Sequence, residues 1–361
     1  MLFKKTSRLE KIIKILNKFD NADVINKLQQ DKRLSFDEQS NTLSLNLPFY
    51  APDWLASLQQ NSEADIQSLL DAPLNWQVTH DVLALQASSS KTSLSKIKNI
   101  IVVASGKGGV GKSTVSINLA LALSKNGAKI GILDADIYGP SVPTLLGVKN
   151  AKPSSSDGKL MQPIEAHGIV CNSIGFLVAE EDAMIWRGPM ASKALQQVLN
   201  ETDWPELDYL IVDMPPGTGD IQLTMSQNVP VSSAVIVTTP QDVALIDAKK
   251  GVTMFNKVET PISGIVENMS LYTCSKCGHS EAIFGTGGGE KLAEQFDLPF
   301  LGRLPLHINY CQDSDQGNPT VSKNEQPTLV KPYLALAETL VMNLYRDLKP
   351  AIQSINIKEL K

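Results

Sequence analysis

The chain has 361 residues, 42% of them hydrophobic and 20% charged, a balance that excludes disorder, collagen and coiled coil and leaves material for a sizeable core. Lys+Arg at 33 against Asp+Glu at 38 gives a net charge of -5, which supplies no global attraction to nucleic acid or an anionic membrane. Four cysteines in this length cannot be a disulfide scaffold, and no stretch approaches the roughly 20 apolar residues that cross a bilayer, so a soluble, cytoplasmic protein is expected.

The length predicts one large domain with an appendage, or two domains. The opening is basic, with Lys4, Lys5, Arg8, Lys11, Lys14 and Lys18 against Glu10. A targeting or membrane-surface helix is one reading of it. An ordinary amphipathic helix fits better, because Leu9, Ile12, Ile13 and Leu16 fall at i, i+3, i+4 and i+7 and acidic residues follow from Asp20. Alternation at Leu34 and Phe36, then at Leu43, Leu45, Leu47 and Phe49, predicts a hairpin with Asn41 near its turn. Pro52 and Asp53 begin a second helix, with Leu55, Leu58, Ile66, Leu69 and Leu70 as its buried positions. Trp76, Val78, Val82 and Leu83 read as a final strand. Residues 1–86 are thus a small α+β unit without cysteine, of a size that can fold alone. Small polar residues from Ala87 to Ser95 mark a linker over 87–96.

From residue 97 to 361, apolar strands alternate with helical segments: Ile100 to Ala104, Ile130 to Asp134, Tyr209 to Asp213, Ala234 to Thr238, Ile262 to Asn268 and Phe300 to Leu304. This is the pattern of an α/β domain with a mostly parallel sheet flanked by helices, whose ligands gather at the carboxyl ends of the strands. The first strand runs into Gly106-Lys107-Gly108-Gly109-Val110-Gly111-Lys112-Ser113, followed by Thr114 and a periodic apolar helix, which fits G-x-x-x-x-G-K-[ST] in its required setting. The glycines let backbone N–H groups turn toward phosphate oxygens. The helix N-terminus adds positive potential, Lys112 reaches the outer phosphates and Ser113 can ligate Mg²⁺. The expected fold is a P-loop NTPase that binds ATP and Mg²⁺.

Asp136, ending the second strand after Asp134, is the carboxylate expected to face the γ-phosphate, its water or Mg²⁺; helix capping is the alternative for either residue. Asp213 ends a hydrophobic strand in the manner of a carboxylate that holds Mg²⁺. Met214 to Asp220 follows with Gly217 and Gly219, as a switch loop would.

The additional lysine of the loop, Lys107, makes it resemble the deviant phosphate loop of dimeric ATPases related to nitrogenase iron protein, the septum-positioning ATPases and the arsenical pump ATPase. The resemblance implies that Lys107 acts across a homodimer, as a cation neutralising charge on the transferring phosphoryl group, and that Asn268 recognises adenine.

Cys274-Ser275-Lys276-Cys277-Gly278-His279 follows Asn268 closely. Two thiolates at this spacing can face one metal, but four ligands are usual and a second Cys-x-x-Cys is missing. In a homodimer, two copies supply four sulfurs, enough for a 4Fe-4S cluster or a tetrahedral Zn²⁺. A thioredoxin-like redox pair and unliganded thiols are the other readings. Cys171 and Cys311 read as packing residues.

Together with this loop and CSKCG, the segments ILDADIYGPS, WRGPM, DYLIVDMPPGTGD, VTTPQ and GIVENMS resemble the Mrp/ApbC/Nbp35 iron-sulfur cluster carrier ATPases, over about Ile97 to Pro332. The resemblance implies a slow ATPase that holds a labile cluster between Cys274 and Cys277 of two subunits and passes it to apoproteins with the help of cluster-assembly factors. The N-terminal unit is similar in length and order to MIP18-family domains but lacks their cysteine. Arg187, within WRGPM, could contact a partner. A positioning or partition ATPase working on membrane or DNA is the competing class, and a permanent Zn²⁺ clasp is a third. The charge balance speaks against nucleic acid and membrane. Gly285 to Lys291 resembles a second phosphate loop but has Glu290 where the motif needs otherwise, so it reads as a glycine-rich turn before a helix at Leu292.

Overall fold

The computed structural model describes residues 7–19, 21–85, 94–155, 158–177, 188–219, 222–223, 229–274, 276–323 and 325–351. Most of the linker, Arg187 and Asp220 lie outside them. Helix α1 (Arg8–Leu16) starts in a capping box of Ser7 and Glu10 and buries Ile12, Ile13 and Leu16. Helix α2 (Ala22–Gln30) follows, then the expected antiparallel hairpin of β1 (Leu34–Asp37) and β2 (Thr42–Leu47). Helix α3 (Pro52–Gln67) begins at its proline, and β3 (Asn75–His80) pairs parallel to β2. Val82 and Leu83, expected in this last strand, lie beyond it. The buried Asn99 amide donates to Leu83 O at 2.9 Å and accepts from Leu85 N at 3.0 Å, which replaces a ladder and ties the segment to the next sheet.

That sheet contains β4 (Ile97–Ala104), β5 (Ile130–Asp134), β6 (Ile164–Ala166), β7 (Ile169–Ser173), β8 (Leu207–Asp213), β9 (Ser233–Thr238), β10 (Ile262–Glu267) and β13 (Phe300–Arg303). A small separate hairpin holds β11 (Tyr272–Thr273) and β12 (Ser280–Glu281). The strand order is β13-β10-β9-β4-β8-β5-β7-β6, parallel except for the edge pair β6–β7. The six strands read from apolar runs are all present. The edge hairpin turns through His167 and Gly168, both at positive φ (50° and 82°), the backbone that two-residue hairpin loops require.

Successive residues of β4 face different cores. Ile101 and Val103 join a cluster with α4 (Lys112–Lys125), whereas Ile100, Val102 and Ala104 face Val252 and Phe255 of α7 (Asp242–Lys257). Between them lie the short α5 (Val142–Leu145) and α6 (Gly188–Asn200). After them come α8 (Gly288–Gln295), α9 (Ile308–Asp315) and α10 (Pro327–Asp347). Among the described residues no helix is long and apolar enough to cross a membrane.

Helix α10 packs on α4 and also on the N-terminal unit. Of the apolar residues Leu334, Leu336, Leu340, Val341 and Leu344, whose spacing predicts a core-packing helix here, all but the half-buried Leu334 are buried. Glu338 accepts from Asp53 N (2.8 Å) and Trp54 N (2.9 Å), satisfying the amino end of α3. Lys27 Nζ donates to the carbonyls of Tyr345, Arg346 (3.2 Å) and Leu348 (2.7 Å) where α10 ends. Phe49 and Tyr345 lie with ring centroids 5.7 Å apart, so the N-terminal core and that of the large sheet form one cluster.

Candidate nucleotide site and cysteine hairpin

Parallel pairing brings the strand ends into one row: Ser173 opposite Asp134, Asp134 opposite Asp213, Asp213 opposite Val103, and Thr238 opposite Glu267. The phosphate loop leaves β4 at the centre of this row and enters α4 through Gly111, whose φ of 81° suits glycine, as does the 84° of Gly109. Gly106 lies against the backbone of α7, where an added Cβ would meet Asp247 C at 2.1 Å. The other side of the loop meets the segment after β8, where Gly217 N donates to Ser105 O at 2.9 Å. Lys107 is half-buried, and Gly108 and Gly109 are exposed at the tip of the loop.

Asp213, buried at the end of β8, accepts from Lys112 Nζ (2.7 Å), Ser113 Oγ (2.6 Å) and Ser116 Oγ (2.6 Å). Thr114 flanks this cluster on the first turn of α4. Ser116 had not been singled out in the sequence; its place three residues after Ser113, on the same helix face, was the available signal. Ser113 and Asp213 offer a hydroxyl and a carboxylate side by side, hard oxygen donors of the kind Mg²⁺ takes.

The two aspartates at the end of β5 separate cleanly. Asp134 is fully buried and accepts from Asp136 N (3.1 Å), Val142 N (3.0 Å) and Ser173 Oγ (3.2 Å), so it is the one that caps α5. Asp136 stays partly open; burial raises its carboxyl above the usual range while Lys112 pulls it down. Burial, followed by the adjacent Asp213 carboxylate, pushes Asp134 up to about 7. The folded chain therefore holds the Asp134 proton more tightly than the unfolded chain, and the stability it contributes is full below 3.8 and lost as pH rises toward about 7. Urea midpoints of nucleotide-free protein, compared with Asp134→Asn between about pH 4 and about pH 8, are expected to fall more steeply in the wild type. Parallel curves would reject this account.

Asn268, just past β10, donates from Nδ2 to Val110 O at 2.8 Å, so it lies against the phosphate loop. Six residues on, Cys274 and Cys277 sit in the turn of the β11–β12 hairpin. Cys274 N donates to His279 O and Gly278 N to Cys274 O, each at 2.9 Å, which folds the pair back on itself. The N–H of Cys277, followed by that of Lys276, points at the Cys274 sulfur and holds its thiol below the usual range. Cys277 is exposed. Among the described residues no three His, Cys, Asp or Glu side chains converge as a metal cage, so one copy offers this hairpin two sulfurs.

Cys171 is buried, as a packing cysteine should be. Cys311 is not: α9 presents it to solvent, with Sγ 3.6 Å from Asp315 Oδ2, because its helix buries Tyr310, Asp313 and Ser314 instead. The glycine-rich segment before Leu292 is a turn into α8. The buried Glu267 carboxylate accepts from Gly287 N (3.0 Å) and Gly289 N (2.7 Å) there, in the place an anion would need.

A glycine loop between the central strand of a parallel sheet and its helix, with an aspartate from the neighbouring strand on the loop lysine, is the arrangement of a P-loop nucleoside triphosphatase. Residues 96–341 match the family model described as "ParA: NUBPL iron-transfer P-loop NTPase", and the chain belongs to that family. A relative from Escherichia coli strain K12, named iron-sulfur cluster carrier protein, is 54% identical over 304 residues, covering 84% of this chain and 82% of its own. The mouse iron-sulfur cluster transfer protein NUBPL is 50% identical over 250 residues, covering 69% of this chain and 78% of its own. Among solved structures, a nucleotide-binding protein from Archaeoglobus fulgidus in complex with ADP superposes with TM-score 0.57 at 39% identity, over 64% of this chain and 90% of that one. The cell division ATPase MinD of Pyrococcus furiosus, at TM-score 0.52 and 22% identity over 67% of this chain and 97% of its own, shares the fold.

Proposed function

We propose that this protein is a cytoplasmic ATP-dependent carrier that holds an iron-sulfur cluster between two copies of itself and delivers it to apoproteins. The observation that carries the reading is the acidified Cys274 and exposed Cys277, held in a hairpin six residues from a side chain that touches the phosphate loop. Two such hairpins facing each other give the four thiolates of a 4Fe-4S cargo. The names of the relatives agree with it.

The backbone of Gly106 to Ser113, with Thr114, holds the nucleotide. Lys112 faces its outer phosphates, Ser113 and Asp213 hold Mg²⁺, and Asn268 lies where adenine would be read. Mg²⁺ supplies charge neutralisation on the phosphates when bound. Asp136, with its raised affinity for a proton, takes the role of orienting the attacking water, and Lys107 acts across the dimer. The division into an N-terminal unit over 1–86, a linker over 87–96 and an ATPase domain over 97–361 is part of the proposal, as is the absence of nucleic acid or membrane from its partners.

Anaerobic incubation of the apoprotein with iron and sulfide is expected to give a broad visible absorption, with iron and sulfide in equal amounts. Cys274→Ala and Cys277→Ala each remove it without lowering the melting temperature, since neither side chain is in the core. Zinc without sulfide in protein isolated without air, or a spectrum unchanged in both variants, would overturn the reading.

A further inference from the structure

The segment between the phosphate loop and Cys274 is pinned at nearly every residue. Asn268 N donates to Thr238 O (2.8 Å) while its side chain holds Val110 O. Met269 is fixed in the left-handed region at φ 57°, rare for a residue of its bulk. Ser270 N donates to Leu304 O (3.0 Å), Leu271 O accepts from Leu306 N (2.8 Å), and Tyr272 bridges Leu306. Thr273 Oγ1 and Ser280 Oγ are 3.0 Å apart across the hairpin, and Cys274 N is held by His279 O.

Glu267 anchors this run at its root. Its fully buried carboxylate accepts from Ser270 Oγ (2.7 Å) as well as from Gly287 and Gly289 of the α8 turn, with Arg303 Nε at 3.4 Å. A helix cap alone would not need the Ser270 contact, which bends the segment back toward β10. At the other end, the Asn268 contact has a geometric consequence. A trans peptide points its C=O and N–H in opposite directions, so holding Val110 O toward Asn268 aims Gly111 N–H away from it. There is no slack at this contact, since a Cβ on Gly111 would lie 2.4 Å from Asn268 Nδ2.

We propose that Glu267 and Asn268 are positioning residues that make 268–274 a stiff connector, through which the orientation of the Val110–Gly111 peptide and the placement of Cys274 constrain each other. The inference deepens the carrier reading and rests on it for its purpose. A loop peptide turned by nucleotide pulls on Asn268, and the pinned segment passes the displacement to the hairpin; by linkage, whatever fixes the hairpin biases the loop.

The test uses full-length, iron-free, reduced protein, dilute enough to sediment as one protomer with and without ADP and Mg²⁺. Alkylation of Cys274 and Cys277 by iodoacetamide is followed by mass spectrometry, with Cys311 as internal reference. In the wild type the nucleotide is expected to change the rate at the pair by about fivefold, the low end of ordinary couplings, and to leave Cys311 unchanged. Glu267→Gln, which keeps the shape but loses a charged acceptor, is expected to remove most of that dependence while still binding ADP. A purely structural Glu267 would lower the melting temperature and leave the nucleotide effect intact. Met269→Gly accepts the same φ without strain and frees the segment; it decides the matter if Glu267→Gln does not fold. A wild type indifferent to nucleotide, or variants that keep the wild-type ratio, would overturn the connector. Because the readout involves no metal, the cluster assay and this one can fail separately.

Discussion

Replacing Lys112 by methionine is expected to cost stability as well as activity. Its ammonium lies 2.7 Å from Asp213 Oδ1 with the two side chains 6% and 0% exposed, so the variant leaves a carboxylate buried without a counter-charge beside Asp134. Breaking a buried pair from one side costs about 3–5 kcal/mol, more than either member contributes on balance. Asp213→Asn strands the lysine in the same way. The double variant Lys112→Met with Asp213→Asn leaves no charge unpaired and should regain most of the loss, keeping the Ser113 and Ser116 hydroxyls against a neutral amide. Hydrolysis should not return. In the proposed role Lys112 faces the outer phosphates, and losing that cation removes on the order of 10²–10³ in rate, which no amide replaces. Urea denaturation and phosphate release on the four proteins of the cycle separate the two effects. Additive destabilisation in the double variant would mean that the pair is solvated and the account wrong.

The second large effect belongs to Gly106. An added methyl would lie 2.1 Å from Asp247 C, 2.3 Å from Asp247 O and 2.5 Å from Ala248 N, all backbone of α7, so no rotamer relieves the contact. Either the helix or the phosphate loop must shift. Overpacking of this kind costs about 1–3 kcal/mol, with the upper end expected where backbone meets backbone. Because Gly106 opens the phosphate loop, a shift of the loop misplaces the backbone N–H groups that hold phosphate, so nucleotide affinity in Gly106→Ala should fall further than stability. Gly251→Ala, on the same helix, is the contrasting case. Nothing lies within 4 Å of its added Cβ, and exchanging a mid-helix glycine for alanine should raise stability by about 1 kcal/mol. Calorimetric melting and nucleotide titration of both variants test the pair; a Gly106→Ala protein that binds nucleotide like the wild type would show the loop and α7 to be independent.

What could be read from the letters depended on whether the signal was local. The apolar runs of β4, β5, β8, β9 and β10 announce strands buried on both faces, that of β13 an edge strand, and the phosphate loop is contiguous, so the central sheet and the cradle of the site were legible. That Asp134 rather than Asp136 serves the start of α5 was not legible. Asp134 is consumed by Val142 N and Ser173 Oγ, partners known only once β7 lies beside β5. The short edge strand β6 carries too little apolar alternation to register. Cys311 misled because a free cysteine is usually buried, and only the facing of α9 decides otherwise. Glu267 carried no signal of its own, because its partners Gly287, Gly289 and Arg303 come from elsewhere in the chain.

The seam between the chain's two ends bears on the order of its making. Helices α2 and α3 leave the ribosome well before the surface they dock on, α10. At ordinary elongation rates of roughly 5–20 residues per second, the interval is on the order of tens of seconds. During that time Lys27 lacks the carbonyls of Tyr345, Arg346 and Leu348, the amino end of α3 lacks Glu338, and Phe49 has Trp54 but not Tyr345 beside it. These are contacts of very high sequence separation, the kind that form late and leave apolar surface waiting. A nascent chain stalled before Pro327 therefore lacks the helix on which α2 and α3 dock.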